Sequence, residues 1–103
     1  MDIKQVYLFW EEPSGFKSEC VKIKYTTGER MYLEENVLSR KWVERKMLGI
    51  AADKNTNKKQ GISIVDVNQE TGKKNLIKYL NYKIQIKNKE IKKIEKYIKL
   101  LEV

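Results

Sequence analysis

The side chains able to do covalent or metal chemistry are few. The chain has no histidine and a single cysteine, Cys20. A lone thiol with no imidazole to take its proton reads as a small packing residue on a strand, not as a nucleophile. The same two features remove the usual zinc ligand sets and any internal disulfide. Neither a phosphate-cradling GxxxxGK[ST] loop nor a GxSxG elbow occurs. Asp66 and Glu70 sit close enough in sequence to be weighed as Mg²⁺ ligands, but solvent-facing positions at the end of a hairpin strand explain them more cheaply. These residues predict a protein that is not an enzyme and that uses no metal or cofactor.

What the chain has in quantity is positive charge. Lys and Arg number 22 against 14 Asp and Glu, a net charge of +8. Residues 1–52 carry nine basic and eight acidic side chains, whereas residues 53–103 carry thirteen lysines and six acids. A field concentrated in half of a small protein attracts polyanions and speeds encounter with them. Codon bias in an AT-rich genome would also enrich Lys, Ile and Asn, so the position of the charges matters more than their sum.

Three stretches are candidates for the contact. The first is Asn68–Asn75, read as a β-hairpin tip: Lys73 and Lys74 can neutralise phosphates, and Gln69 and Asn75 carry the amide pair that reads an adenine edge. The second is the run from Ser39 to Lys46, where Arg40, Lys41 and Arg45 stand opposite Trp42 and Val43. The third is the polar loop holding Lys54, Lys58 and Lys59. The lysines nearest the C-terminus read as the outer side of an amphipathic helix and are expected to add only to the general field. Aromatic residues on the strands, Tyr7, Phe9, Trp10, Tyr25 and Tyr32 among them, could stack on unpaired bases, although core packing is their commoner fate.

The elements that would position these residues follow from periodicity. Ile3–Trp10 is β-branched and aromatic and predicts a strand. Pro13-Ser14-Gly15 turns the chain. Cys20–Tyr25 alternates, with Val21, Ile23 and Tyr25 on one face, and predicts a second antiparallel strand. Thr26–Glu29 turns it again into a short strand, Arg30–Leu33. Glu34–Ile50 reads as helical on the stripe Val37, Leu38, Trp42, Val43, Met47 and Leu48, either as one helix or as two broken at Ser39. Ile62–Val67 and Asn75–Lys87 read as the strands of the basic hairpin, and Asn88 as the cap of a last helix that lays Ile91, Ile94, Ile98 and Leu101 on the core. The expected fold is a compact α+β domain spanning 1–103, with antiparallel strands, a central helical segment, a wing-like hairpin and a C-terminal amphipathic helix.

A helical pair, a basic loop and a strand–turn–strand with a lysine-rich tip is the order of a winged helix. In length, charge and element order the chain resembles the small winged-helix accessory proteins of conjugative plasmids, the TcpK type. That resemblance implies double-stranded DNA binding near an origin of transfer, beside a relaxase or other DNA-processing protein. It points to Lys73, Lys74 and Asn75 in the wing and to Lys4, Lys22 and Lys24 on the strands. The protein is expected to form a homodimer or to bind at repeated sites. No run of eighteen apolar residues and no signal-like start is seen, which predicts a cytoplasmic protein with no membrane partner. Two other classes fit the composition. One is a phage- or plasmid-encoded inhibitor that docks on a protein. The other is a small basic ribonuclease toxin, of the kind that cleaves RNA with Lys, Arg, Tyr and Glu alone.

Overall fold

The computed structural model describes residues 3–37, 40–53 and 61–102. Six antiparallel strands form one sheet: β1 (Gln5–Glu12), β2 (Gly15–Thr26), β3 (Arg30–Val37), β4 (Arg40–Glu44), β5 (Ala52–Asp53) and β6 (Ile62–Asp66). Their spatial order is β4-β3-β2-β1-β6-β5. A 3-10 turn, Arg45–Met47, follows β4, and an α-helix, α1 (Gln69–Leu101), follows β6. The α+β class is as expected. The helical content is differently placed.

β1 and β2 close around a two-residue loop, Pro13-Ser14, with Glu12 opposite Gly15. Gly15 takes φ +131°, a conformation side chains resist, so the glycine is required there. From this hairpin the sheet curls. Leu48 forms a parallel bridge to Val65, and the Gly49 amide donates to the Val65 carbonyl at 2.7 Å, so the segment after β4 reaches across to β6. Inside the curl lie Val6, Leu8, Val21, Met31, Leu33, Val43 and their neighbours, all buried. The alternation in β1 and β2 that the sequence displays is what sends these side chains inward.

The convex face is covered only in part. Tyr7 and Phe9 of β1 and Ile62 and Ile64 of β6 point outward, and the first turns of α1 seal them with Leu76, Tyr79 and Leu80. Gly72 is what lets the helix approach: a Cβ there would stand 3.0 Å from the Phe9 ring and 3.3 Å from the Asp66 Cβ. Beyond about Lys83 the helix leaves the sheet, and every described residue from Ile84 to Glu102 is exposed. Thirty-three residues of α-helix span roughly 50 Å, and the molecule accordingly measures 64 × 28 × 26 Å.

Three expectations are corrected. Residues 34–37 and 40–50 form no α-helix: β3 runs on to Val37, and β4 pairs with it through Met31–Val43 and Tyr32–Trp42. The apolar spacing there suits either period, and the free edge of β3 offers ladder hydrogen bonds that an isolated short helix lacks. The expected break at Leu38 and Ser39 lies outside the described residues. Residues 68–75 are not a hairpin tip, and 75–87 are not a strand. Asn68, not Asn88, caps the helix, its side chain accepting the Thr71 amide at 3.0 Å. The alternation of Leu80, Tyr82, Ile84 and Ile86 is real, but Leu76, Tyr79, Leu80 and Lys83 recur at helical spacing, and that period finds the sheet. Among the described residues α1 is the only α-helix, so neither a helix-turn-helix over 34–49 nor a wing over 68–75 is formed.

Candidate nucleic-acid interface

α1 carries ten lysines against three acids, Glu70, Glu90 and Glu95. At 100° per residue, Lys74, Lys78, Lys89, Lys92, Lys96 and Lys99 fall on one side of the helix, away from the side that Gly72, Leu76, Tyr79 and Lys83 turn to the sheet. All six are exposed. Glu70 and Glu95 border this face and Glu90 lies on the far side of the helix, and among the described residues none of the six lysines forms a salt bridge. The row runs for roughly 38 Å, the rise of twenty-five helical residues. Such a row is able to neutralise phosphates without long-range ordering of loops, because one rigid backbone holds every charge.

The residues singled out in the sequence are placed unequally. Gln69, Lys73, Lys74 and Asn75 lie on the first two turns of α1, not on a wing. Lys73 pairs with Glu70 at 3.8 Å, and the Asn75 amide donates to Asp66 Oδ2 at 3.5 Å, so of these only Gln69 and Lys74 are left facing solvent without a side-chain partner among the described residues. Asp66 is itself buried, accepts the Val67 amide at 2.7 Å and helps seat Asn75 beneath Gly49, which corrects its reading as solvent-facing. No grouping of acids, His or Cys able to hold a metal occurs among the described residues. Cys20 is exposed on β2. Lys54, Lys58 and Lys59 lie outside the described residues.

A second surface forms on the part of the convex face that α1 leaves open. The registers of β2, β3 and β4 set Tyr25 opposite Tyr32 and Tyr32 opposite Trp42. Tyr25 and Tyr32 stack with centroids 4.4 Å apart, and the Arg30 guanidinium lies 4.0 Å above the Trp42 ring. Lys22 and Lys24 are exposed on β2, and Lys4 is exposed just before β1, its carbonyl accepting the Ile23 amide at 2.8 Å. Tyr7 and Phe9 are spent on the core beneath α1 instead. On the other side of β4, an open groove of about 660 Å³ is lined by Arg40, Lys41, Trp42, Lys46 and Met47. Burial lowers the pKa of the Arg40 guanidinium from its ordinary value. Arg45 opens the 3-10 turn, where its amide donates to the Glu29 carbonyl at 2.9 Å. The three basic residues expected on one helix face are therefore split between a strand and a turn.

A small polar cluster clamps α1 to the sheet edge. The Tyr79 hydroxyl donates to Asp53 Oδ2 at 2.9 Å, and the Lys83 ammonium donates to the same oxygen. The hydrogen bond from Lys83 holds the Asp53 carboxyl below its usual range. The same carboxylate pushes the pKa values of Lys83 and of the Tyr79 phenol up. Lys83, on the sheet side of α1 and apart from the lysine row, thus has a structural role.

In the sequence, Lys89, Lys92, Lys96 and Lys99 read as the outer side of a helix and are given only to the general field, and the strand expected over 75–87 separates them from Lys74 and Lys78. The signal was present: lysines at 89, 92, 96 and 99 step by three and four, and 74 and 78 continue the face. Among the described residues, no helix is long and apolar enough to cross a membrane. Compared with protein-family models, curated proteins and solved structures, the chain matches none.

Proposed function

We propose that the protein is a non-catalytic binder of double-stranded DNA that makes its backbone contacts through the lysine face of α1. The single observation that carries this reading is the row from Lys74 to Lys99: six exposed lysines on one face of a rigid helix. A major groove admits an α-helix, and a helix laid along the backbone meets phosphates on either side of it. The exposed Lys22, Lys24 and Arg30 add to the same field from the sheet. A role beside a relaxase at an origin of transfer is the narrowest form of this reading, supported by chain length and charge. Recovering bound fragments from random and from native genomic DNA tests that narrower form.

Duplex binding measured at several salt concentrations tests the reading itself. If about six phosphates are engaged, log K falls against log[salt] with a slope of roughly −5. Replacing Lys89, Lys92, Lys96 and Lys99 together by Gln takes about four units from that slope and weakens all sequences alike. A flat salt response, or a slope that survives the fourfold replacement, overturns the assignment to α1. Capture of one protein that withstands nuclease treatment would favour the inhibitor class, and growth arrest on expression alone would favour the ribonuclease.

A further inference from the structure

The part of α1 that leaves the sheet carries a second pattern, separate from its lysines. Isoleucine recurs every seventh residue, at Ile77, Ile84, Ile91 and Ile98. Leu80, Lys87, Ile94 and Leu101 follow each of these by three. The steps therefore alternate three and four without a break for eight positions, which is the a/d register of a coiled coil with Ile at every a. Ile84, Ile91, Ile94, Ile98 and Leu101 are each more than half exposed. Among the described residues nothing buries them.

The period identifies the kind of partner. A straight α-helix drifts about 20° per heptad against a strict seven-residue repeat, so only a supercoiled helix keeps such a seam covered along its length. A helix on its own globular core needs a broader stripe, and Leu76, Tyr79 and Leu80 already supply one for the sheet. Two copies of the exposed seam would pool on the order of 1,000 Å² of apolar surface, the size a specific interface requires. From Lys78 onward the lysine row occupies positions b and f, away from the seam, and stays in solvent when the seam is closed.

Charge selects the orientation. In a parallel pair Lys87 at d meets Lys87 of the partner, and Glu90 at g meets the partner's Glu95 at e. In an antiparallel pair with Ile84 opposite Leu101, Lys87 falls opposite Ile98 and Ile91 opposite Ile94. That register puts Lys87 within a turn of the partner's Glu95 and Glu102, and sets Glu90 against Tyr97 and Glu95 against Asn88. Like charges no longer face each other. It also keeps the partner helix clear of the sheet, which ends its contact near Lys83.

We propose that α1 pairs antiparallel with α1 of a second copy of this chain along the seam from Ile84 to Leu101. The inference does not depend on nucleic-acid binding and is tested without it, by sedimentation of the full chain. The chain of 12.3 kDa should sediment as a dimer with a dissociation constant at or below roughly 100 µM. The double change Ile91→Lys and Ile94→Lys should weaken association at least about a hundredfold, while the thermal unfolding of the sheet in dilute solution stays as in the parent. Lys87→Leu should tighten association about tenfold or more. Spin labels at position 102, placed in a Cys20→Ser background, should lie on the order of 30 Å apart in the antiparallel pair and about 10 Å apart in a parallel one. A monomer at the highest concentration, or a dimer indifferent to the double change, overturns the pairing; the short label distance overturns its orientation.

Discussion

The two halves of α1 have similar sequences and opposite circumstances. From Gln69 to Lys83 the helix lays Leu76, Tyr79 and Leu80 on the convex face of β1 and β6, closes in at Gly72 and is clamped at Asp53. From Ile84 to Leu101 it repeats isoleucine at helical spacing and buries none of it. A reader of the sequence meets the same lysine-and-isoleucine texture in both. The difference teaches that an amphipathic stripe states only that something must cover it. The seven-residue repeat begins at Ile77 and runs through both halves; what distinguishes the first is that Leu76, Tyr79 and Leu80 meet the sheet there.

The largest expected effect sits on the side that touches the sheet. Leu76→Ala removes a buried side chain between Phe9 and Ile64 and should cost about 2–5 kcal/mol in denaturant unfolding. Ile94→Ala, measured at a concentration low enough to keep the chain monomeric, should change stability by less than about 0.5 kcal/mol. Equal losses at the two positions would break the comparison, because the distal half would then have to be packed in the monomer.

A smaller effect is expected at the start of the helix. Asn68→Ala removes the acceptor for the Thr71 amide and should cost about 1 kcal/mol. The loss should show as faster amide exchange in the first turn, with the distal half unaffected.

The smallest effect is at the clamp, and pH sharpens it. The Asp53 carboxyl is held low by Lys83, so its contribution is fully present above the ordinary Asp pKa of about 3.9 and is lost as pH falls through the depressed value. The Lys83 ammonium is held high by Asp53, so its contribution is present below about 10.4 and is lost as pH rises through the raised value. Asp53→Asn should therefore loosen residues 79–83 in amide exchange at neutral pH, by little because the groups are solvent-facing. It should make no difference in strong acid. A variant that behaves like the parent at pH 7 would show that the apolar contacts of Leu76 and Leu80 hold the helix unaided.

Much of the sheet was legible in advance. The alternation of β1 and β2, the Pro13-Ser14-Gly15 turn and the apolar run of β6 each have one dominant period and a clear breaker at the end. Two regions were not. In residues 34–50 the apolar pairs fit strand and helix alike, and the choice fell to β3, whose unpaired edge could satisfy the backbone of β4. In residues 68–87 Gly72 resembled a turn residue, whereas its place is a helical turn too close to Phe9 for any side chain. The site fared the same way. Lys74 belongs to the lysine row, but Lys73 and Asn75 have partners of their own, and the row as a whole emerges only when the helix is continuous.

The sequence by itself determined a basic second half, an α+β composition and a seven-residue isoleucine repeat, because these depend on residue identity and spacing alone. Only the tertiary structure decided which lysines stand together and which isoleucines lie bare. Both questions depend on where the sheet stops supporting the helix. That boundary, near Lys83, is set by the width of β1 and β6 and the reach of Asp53, which no local pattern in α1 encodes.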